Sequence, residues 1–143
     1  MVKMMLVGKT GCGKTTLTQA ILGEELTYKK TQAISYCDSI VDTPGEYIEN
    51  RRYYNALISS SSKCDLIALV QDATAQNSIF PPKFASLFKK KVIGIITKTD
   101  IEGGNLSRAE KFLHWAGANE IVESSSMMNI GIDTLRKYLI LEN

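Results

Sequence analysis

Eight consecutive residues near the start of the chain, positions 8–15, form a pattern suited to binding phosphate. They read Gly-Lys-Thr-Gly-Cys-Gly-Lys-Thr, which fits glycine, any four residues, glycine, lysine and then serine or threonine. Gly8 and Gly13 let the backbone curl around an anion, so that successive N–H groups point into one concavity. We expect Lys14 to reach the outer phosphates of a nucleotide and the Thr15 hydroxyl to bind Mg²⁺.

The residues on either side of this phosphate loop support the prediction. The apolar run at 4–7 predicts a buried strand, and Leu17, Ala20 and Ile21 define one face of a helix expected to end at Gly23. The positive end of that helix points at the loop. Three further small residues are predicted to contact the phosphates: Gly11, Cys12 and Thr16.

Composition limits the classes of function. The 143 residues suit one domain over positions 1–143, and 17 basic against 15 acidic residues give no electrostatic argument for nucleic acid or an anionic membrane. The apolar start is too short for a signal peptide or a membrane span, so we expect a cytoplasmic protein. The three cysteines lack disulfide or metal-ligand spacing. Cys12 lies near a helix N-terminus, where the pKa of a thiol tends to fall.

Apolar runs alternate with helix-period segments, which predicts an α/β fold with a mostly parallel sheet of about six strands. The strands are expected at 4–7, 33–36, 39–41, 65–70, 92–96 and 120–123. Helices are expected at 48–60, after the two prolines at 81–82, at 107–116 behind a capping box of Ser107 and Glu110, and at 132–139. Residues 24–31 are expected to form a loop.

Polar clusters follow four of the predicted strands, where parallel sheets bind their ligands. The first is the phosphate loop. The second contains Asp42, a candidate Mg²⁺ ligand, and Gly45, whose N–H is a candidate donor to a terminal phosphate. The last two clusters, Thr-Lys-Thr-Asp at 97–100 and Ser-Ser at 125–126, lie at the edge expected to receive the rest of the nucleotide.

The last two clusters suggest that the base is guanine. A carboxylate such as Asp100 accepts two hydrogen bonds from the N1 and N2 edge of guanine, whereas adenine has no such pair of donors. We expect the Lys98 stem to pack on the ring. Ser125 and Ser126 offer a backbone N–H to the base oxygen.

In this order the four clusters resemble those of small P-loop GTPases of the translation-factor-related branch, for which Asp-Thr-Pro-Gly at 42–45 is typical. More narrowly, the chain resembles the EutP/PduV family of ethanolamine- and propanediol-utilisation proteins. The matching stretches are at 11–15, 30–34, 42–47, 92–94, 97–98 and 129–133. The resemblance implies a three-layer α/β/α small G-domain that binds GTP or GDP with Mg²⁺ and is encoded with bacterial microcompartment enzymes. Shell or utilisation proteins are then the expected partners.

The resemblance also assigns roles to residues at the reacting end of the nucleotide. Thr31 is the candidate first-switch threonine, which binds Mg²⁺ and senses the γ-phosphate, and Lys14, Gly45 and Glu46 complete the catalytic candidates. Two residues depart from the usual pattern. Thr97 stands where the base-reading motif commonly has Asn, and Glu46 stands where Ras-like GTPases have a water-positioning Gln. Repulsion between a carboxylate and the phosphates predicts slow intrinsic hydrolysis.

Three functions are compatible with these residues. The first is a Mg²⁺-dependent GTP-binding switch with weak hydrolysis. The second is an ATP-dependent phosphoryl transferase, such as an acetate-kinase-like enzyme of ethanolamine breakdown. The third is a structural module that binds nucleotide for stability and docks on a microcompartment shell. Asp100 favours guanine over ATP, and the sequence has no obvious lid insertion of the kind that a kinase needs to exclude water.

Overall fold

The computed structural model describes residues 2–28 and 39–140, in which five parallel strands form one sheet. The strands are β1 (Met4–Val7), β2 (Ile40–Asp42), β3 (Leu66–Asp72), β4 (Lys91–Thr97) and β5 (Glu120–Glu123), and their order is β2-β1-β3-β4-β5. The predicted mostly parallel sheet is confirmed, with five strands where about six were expected. The strand predicted at 33–36 lies outside the described residues, as does Thr31.

Helices lie on both faces of the sheet. They are α1 (Lys14–Tyr28), α2 (Glu46–Glu49), α3 (Tyr54–Ser61), α4 (Leu106–Ala116) and α5 (Ile132–Ile140), with 3₁₀ turns at Arg51–Tyr53 and Phe84–Leu87. Met4 and Leu6 of β1 pack with α1 and α5, whereas Met5 and Val7 pack with α3 and α4, since successive strand residues point to opposite faces. The three-layer α/β/α architecture is therefore confirmed.

The order of the strands places the phosphate loop at a reversal of the sheet. The chain leaves β1 through α1 and returns as β2 on one side of it, whereas β3 lies on the other side. In open parallel sheets, ligands bind in the crevice beyond the carboxyl ends of the strands at such a reversal. The loops that follow β1, β2, β4 and β5 meet at this end.

No helix in residues 2–28 or 39–140 has both the length and the apolar character needed to cross a membrane.

Helix α1 passes through Gly23, where the sequence predicted its end, and continues to Tyr28. A glycine inside a helix costs about 1 kcal/mol relative to alanine, and the next residues, Glu24, Glu25 and Leu26, are good helix formers. The prediction of a loop from residue 24 was therefore wrong for the part that the structure describes.

Two other helix boundaries also differ from the prediction. The helix expected at 48–60 is broken at Asn50, whose backbone is extended and whose side chain accepts from the Arg52 N–H, because asparagine competes with helical hydrogen bonds. Helix α4 is capped by Asn105, which accepts from the Arg108 N–H at 2.9 Å, and not by the predicted Ser107 capping box. Its end at Gly117, with φ 103°, is confirmed.

The close packing of α4 on β4 predicts a large loss of stability for Leu113→Ala. Leu113 is fully buried, and a Cβ added at Gly94 would lie 2.8 Å from its Cδ1, so little movement is available to fill the cavity. We expect the free energy of unfolding to fall by about 2–5 kcal/mol in denaturant titration. Lys111→Ala, on the exposed side of the same helix, is the control and should change it little. Equal effects in the two variants would contradict this packing.

Candidate functional site

The backbone of the phosphate loop requires glycine at two positions for different reasons. Gly13 has φ 102°, which side chains rarely adopt, just before α1 begins at Lys14. Gly8 approaches β3 so closely that an added Cβ would lie 2.9 Å from Val70 O. Gly11 also has a positive φ, of 85°. The loop is thus held against the sheet at its start and turned into the helix at its end.

The Lys14 side chain folds back into this loop. Its Nζ donates to Gly8 O at 2.6 Å and to Lys9 O at 3.2 Å, and the residue is only 7% exposed. The loop therefore holds a positive charge within it, which is the property that the phosphate-binding pattern predicts for this lysine.

Thr97 and Lys98, at the end of β4, hold the loop from another side. Thr97 Oγ1 donates to Cys12 O at 2.6 Å, and Lys98 Nζ donates to Gly11 O at 3.0 Å. Because Thr97 is buried, its only hydroxyl donor is used inside the protein. The sequence motif places Thr97 among base-reading residues but does not predict that its hydroxyl supports the phosphate loop.

Asp72 was missed by the sequence analysis and belongs to this support. Its carboxylate accepts from Lys98 Nζ at 2.9 Å and from the backbone N–H and hydroxyl of Thr74. Burial raises the pKa of Asp72, but the hydrogen bonds from Thr74 and Lys98 outweigh it and hold this pKa below its ordinary value. The available signal was its place at the end of an apolar run, the rule that selected Asp42 and Asp100.

The segment after β2 lies against the phosphate loop. Thr43 is buried and donates to Leu6 O at 2.7 Å, which ties the segment to β1. Gly45 approaches so closely that an added Cβ would clash with the backbone N atom of Thr10. The two segments enclose a cavity of about 470 Å³, whose predicted site residues are Gly11, Gly13, Lys14, Thr15, Thr16, Asp42, Gly45 and Lys98.

Two oxygen ligands suitable for Mg²⁺ meet at this cavity. Thr15 Oγ1 donates to Asp42 Oδ2 at 3.2 Å, and both residues are exposed and line the cavity. Mg²⁺ binds octahedrally at 2.0–2.1 Å, so neighbouring ligands lie about 3 Å apart. This ion also takes few protein ligands and fills its sphere with phosphate and water. The donors and their separation therefore fit Mg²⁺.

Asp100 and Ser125 are joined across the loops after β4 and β5. Ser125 Oγ donates to Asp100 Oδ1 at 2.6 Å and accepts from the Met128 N–H at 3.1 Å. Ser125 is fully buried, whereas Asp100 is exposed. The serine hydroxyl therefore orients an exposed carboxylate, while Ser126, next in the chain, is half-buried.

The two glutamates of α2 differ in position. Glu46, the candidate that replaces the water-positioning Gln, is exposed, and its side chain makes no hydrogen bond or ion pair with another described residue. Glu49, one turn later, accepts from the Thr10 N–H in the phosphate loop at 2.8 Å, which lowers the pKa of Glu49. Ile48 between them is buried in the core and anchors the helix there.

Cys12 does not have the activated thiol that its place in the loop suggested. It is 5% exposed, and this burial raises the pKa of the Cys12 thiol, although Lys14 acts in the opposite direction. A thiol with a raised pKa is a poor nucleophile at neutral pH. Cys12 serves as a small buried residue whose carbonyl is held by Thr97.

Comparison with known proteins identifies the family. A profile of the PduV-EutP family, described as ethanolamine utilisation - propanediol utilisation, matches residues 1–141. The propanediol utilization protein PduV of Citrobacter freundii is 44% identical over 140 residues, which are 97% of this chain and 93% of PduV. The chain belongs to the PduV-EutP family. The resemblance seen in the sequence is thereby confirmed.

A second relative and a solved structure are also similar to this PduV-EutP chain. The probable acetate kinase EutP of Escherichia coli K12 is 34% identical over 122 residues, covering 84% of this chain and 77% of EutP. In structure the chain resembles the translation elongation factor SelB of Methanococcus maripaludis in complex with the GTP analogue GppNHp, with a TM-score of 0.60 and 19% identity. The match covers 98% of this chain but only 33% of SelB, and it supports the small G-domain fold alone.

The ion pair between Lys98 and Asp72 predicts a pH-dependent stability in this PduV-EutP protein. Because the folded pKa of Asp72 lies below its ordinary value of 3.8, its stabilisation is present above that pH and is lost as the pH falls through the folded value. We expect Asp72→Asn to lower the free energy of unfolding at pH 7, and we expect this deficit to shrink as the pH falls below 3.8. Urea titrations at pH 7 and pH 3 measure the change.

The control for this prediction is Asp133→Asn, in which the changed side chain is 82% exposed and its ion pair with Arg136 is on the surface. Such pairs contribute little. A deficit of Asp72→Asn that is the same at pH 7 and pH 3 would contradict the role of its ionised form.

Proposed function

We propose that this protein binds guanine nucleotide together with Mg²⁺ and hydrolyses GTP slowly, in ethanolamine or propanediol utilisation. The observation that carries the proposal is the meeting of four loops at one end of the sheet. One of them is the phosphate loop with the buried Lys14. The others contribute Asp42, which pairs with the Thr15 hydroxyl as a proposed metal site, and Asp100, the carboxylate proposed to bind the base. A nucleoside diphosphate or triphosphate carries the complementary groups.

The phosphate end of the proposed site is the loop and the segment after β2. Backbone N–H groups of the phosphate loop and the Lys14 amine would hold the phosphates, and Thr15 and Asp42 would bind Mg²⁺. Bound Mg²⁺ would neutralise charge on the phosphate oxygens. Thr31 completes the proposed metal ligands, and it lies outside the described residues.

The base end of the proposed site is built by the loops after β4 and β5. Asp100, held by Ser125, would accept from the guanine N1 and N2 edge, and the Lys98 stem would pack on the ring. A backbone N–H near Ser126 would donate to the base oxygen. Thr97 contributes indirectly, because its hydroxyl holds the loop that binds the phosphates.

Hydrolysis is proposed to be slow because Glu46 stands in place of the water-positioning Gln of Ras-like GTPases. Gly45 would offer its N–H to the terminal phosphate. Glu46, the remaining catalytic candidate, is exposed and carries a like charge to the phosphates. We therefore propose that rapid turnover needs a partner that moves or replaces Glu46, such as a utilisation or shell protein.

We also propose that residues 1–143 form a single domain and that the protein is located in the cytoplasm or at a microcompartment.

A second candidate is phosphoryl transfer from ATP to a small acid. The relative from Escherichia coli K12 is described as a probable acetate kinase. A second cavity of about 260 Å³ adjoins the same phosphate loop, and its lining includes Lys9, Thr10, Gln71 and Asn77. These polar groups are compatible with a small carboxylate acceptor. The guanine hypothesis is preferred because Ser125 holds Asp100, which is exposed, and adenine has no pair of donors for this carboxylate.

Replacement of Asp100 tests the choice of base. Asp100→Ala should weaken GDP binding by about 10- to 100-fold and abolish the preference for GDP over ADP, since a good bidentate pair is worth about 1–3 kcal/mol. Equilibrium titration of GDP, GTP, ADP and ATP with and without Mg²⁺ measures this, and Glu102→Ala, two residues away and exposed, is the control. A preference for ATP in the parent protein, with phosphate transferred to acetate, would instead establish the second candidate.

Replacement of Thr15 tests the metal site. Thr15→Ala should remove most of the Mg²⁺ dependence of GTP-analogue binding while leaving the protein folded, because this exposed hydroxyl faces Asp42 and not the core. Thr16→Ala, the neighbouring exposed threonine, is the matched control and should retain the Mg²⁺ response. Magnesium titration at fixed nucleotide gives the readout. Identical Mg²⁺ responses in both variants would rule out Thr15 as a ligand.

A further inference from the structure

The carboxylate of Glu49 is bound to the phosphate loop. Its Oε2 accepts the backbone N–H of Thr10 at 2.8 Å. Thr10 is the third residue of the loop, and backbone N–H groups in such loops are the donors that bind phosphate. A side-chain anion of the protein therefore uses one of the donors that the loop offers to a ligand anion.

The position of Glu49 is fixed by the packing of α2. Ile48 is 2% exposed and packs in the core with α3 and α4, so the residue next to it is carried to the edge of that core. The Glu49 N–H donates to Gly45 O at 3.2 Å, and Gly45 lies directly against Thr10, with no room for a Cβ between them. The segment 45–49 thus contacts the loop twice, through the backbone of Gly45 and through the side chain of Glu49.

The charge on Glu49 lies at the end of the site proposed for the terminal phosphate. Gly45 is the proposed donor to that phosphate, and Glu49 contacts the same residue, Thr10, that Gly45 approaches. A nucleoside triphosphate brings more negative charge to this end than a diphosphate does. Repulsion between like charges therefore acts more strongly against the triphosphate.

We propose that Glu49 is a specificity-determining residue that lowers the affinity of the site for nucleoside triphosphate relative to diphosphate. The inference rests on the proposed nucleotide-binding function. Glu49 acts through its negative charge, which its hydrogen bond from the Thr10 N–H holds at the loop. The protein then favours the diphosphate unless a partner withdraws α2 from the loop.

Glu102 provides a control for net charge. It carries the same charge and is exposed, and in the described residues its side chain makes no hydrogen bond with the phosphate loop. If net charge alone were the cause, the two glutamates would act alike. If the cause is a charge held at the loop by the contact with Thr10, only Glu49 will alter the choice of nucleotide.

The test compares Glu49→Gln with Glu102→Gln. A glutamine at position 49 keeps an oxygen that accepts the Thr10 N–H and removes only the charge. We expect Glu49→Gln to bind a non-hydrolysable GTP analogue on the order of tenfold more tightly, with GDP affinity changed much less. The ratio of the two dissociation constants, measured with Mg²⁺ at fixed ionic strength, is the readout. Glu102→Gln should keep the parent ratio.

Each other outcome overturns a specific step. An unchanged ratio in Glu49→Gln, or equal changes in both variants, overturns the role of Glu49 while leaving nucleotide binding intact. A parent protein that binds neither nucleotide overturns the proposed function itself. Glu49→Asp, which keeps the charge but shortens its reach, is the second variant, and its ratio should stay closer to the parent value than that of Glu49→Gln. Thermal unfolding verifies that each variant is folded.

Discussion

The carbonyl groups of the phosphate loop must be satisfied inside the protein if its N–H groups are to bind an anion. Four of these carbonyls receive donors from side chains. Lys14 donates to Gly8 O and Lys9 O, Lys98 to Gly11 O, and Thr97 to Cys12 O. Without these bonds the carbonyl dipoles would be free to turn towards the cavity and repel a phosphate. The functional site depends on this set of contacts.

The same contacts join the two ends of the proposed nucleotide site. Lys98 links the loop to Asp72, and Thr99, one residue on, donates from both its N–H and its hydroxyl to Ser124 O beside Ser125. A short series of polar contacts therefore connects the phosphate loop with the residues beside Asp100.

Carboxylates with similar sequence settings acquire different chemistry from their neighbours. Asp42 lies beside the Thr15 hydroxyl, which suits a metal, whereas Asp72 is occupied by Lys98 and Thr74 and is structural. Glu49 accepts a loop N–H, while Glu46 remains in solvent. Residue type alone does not separate a ligand from a support in this site, because the role depends on which donors lie within hydrogen-bonding distance.

The sequence by itself determined the fold class and most of the members of the candidate site. Asp42, Gly45 and Asp100 each follow an apolar run closely, and parallel strands bring such positions to one edge of a sheet. Only the tertiary structure decided the direction of the Thr97 hydroxyl, the contact of Glu49 with Thr10 and the pairing of Asp72 with Lys98. Thr97 and Cys12 are 85 positions apart, and their bond depends on the direction of a backbone carbonyl, which hydrophobic spacing does not encode. Local patterns fix where strands end, whereas hydrogen-bond partners depend on how distant segments pack.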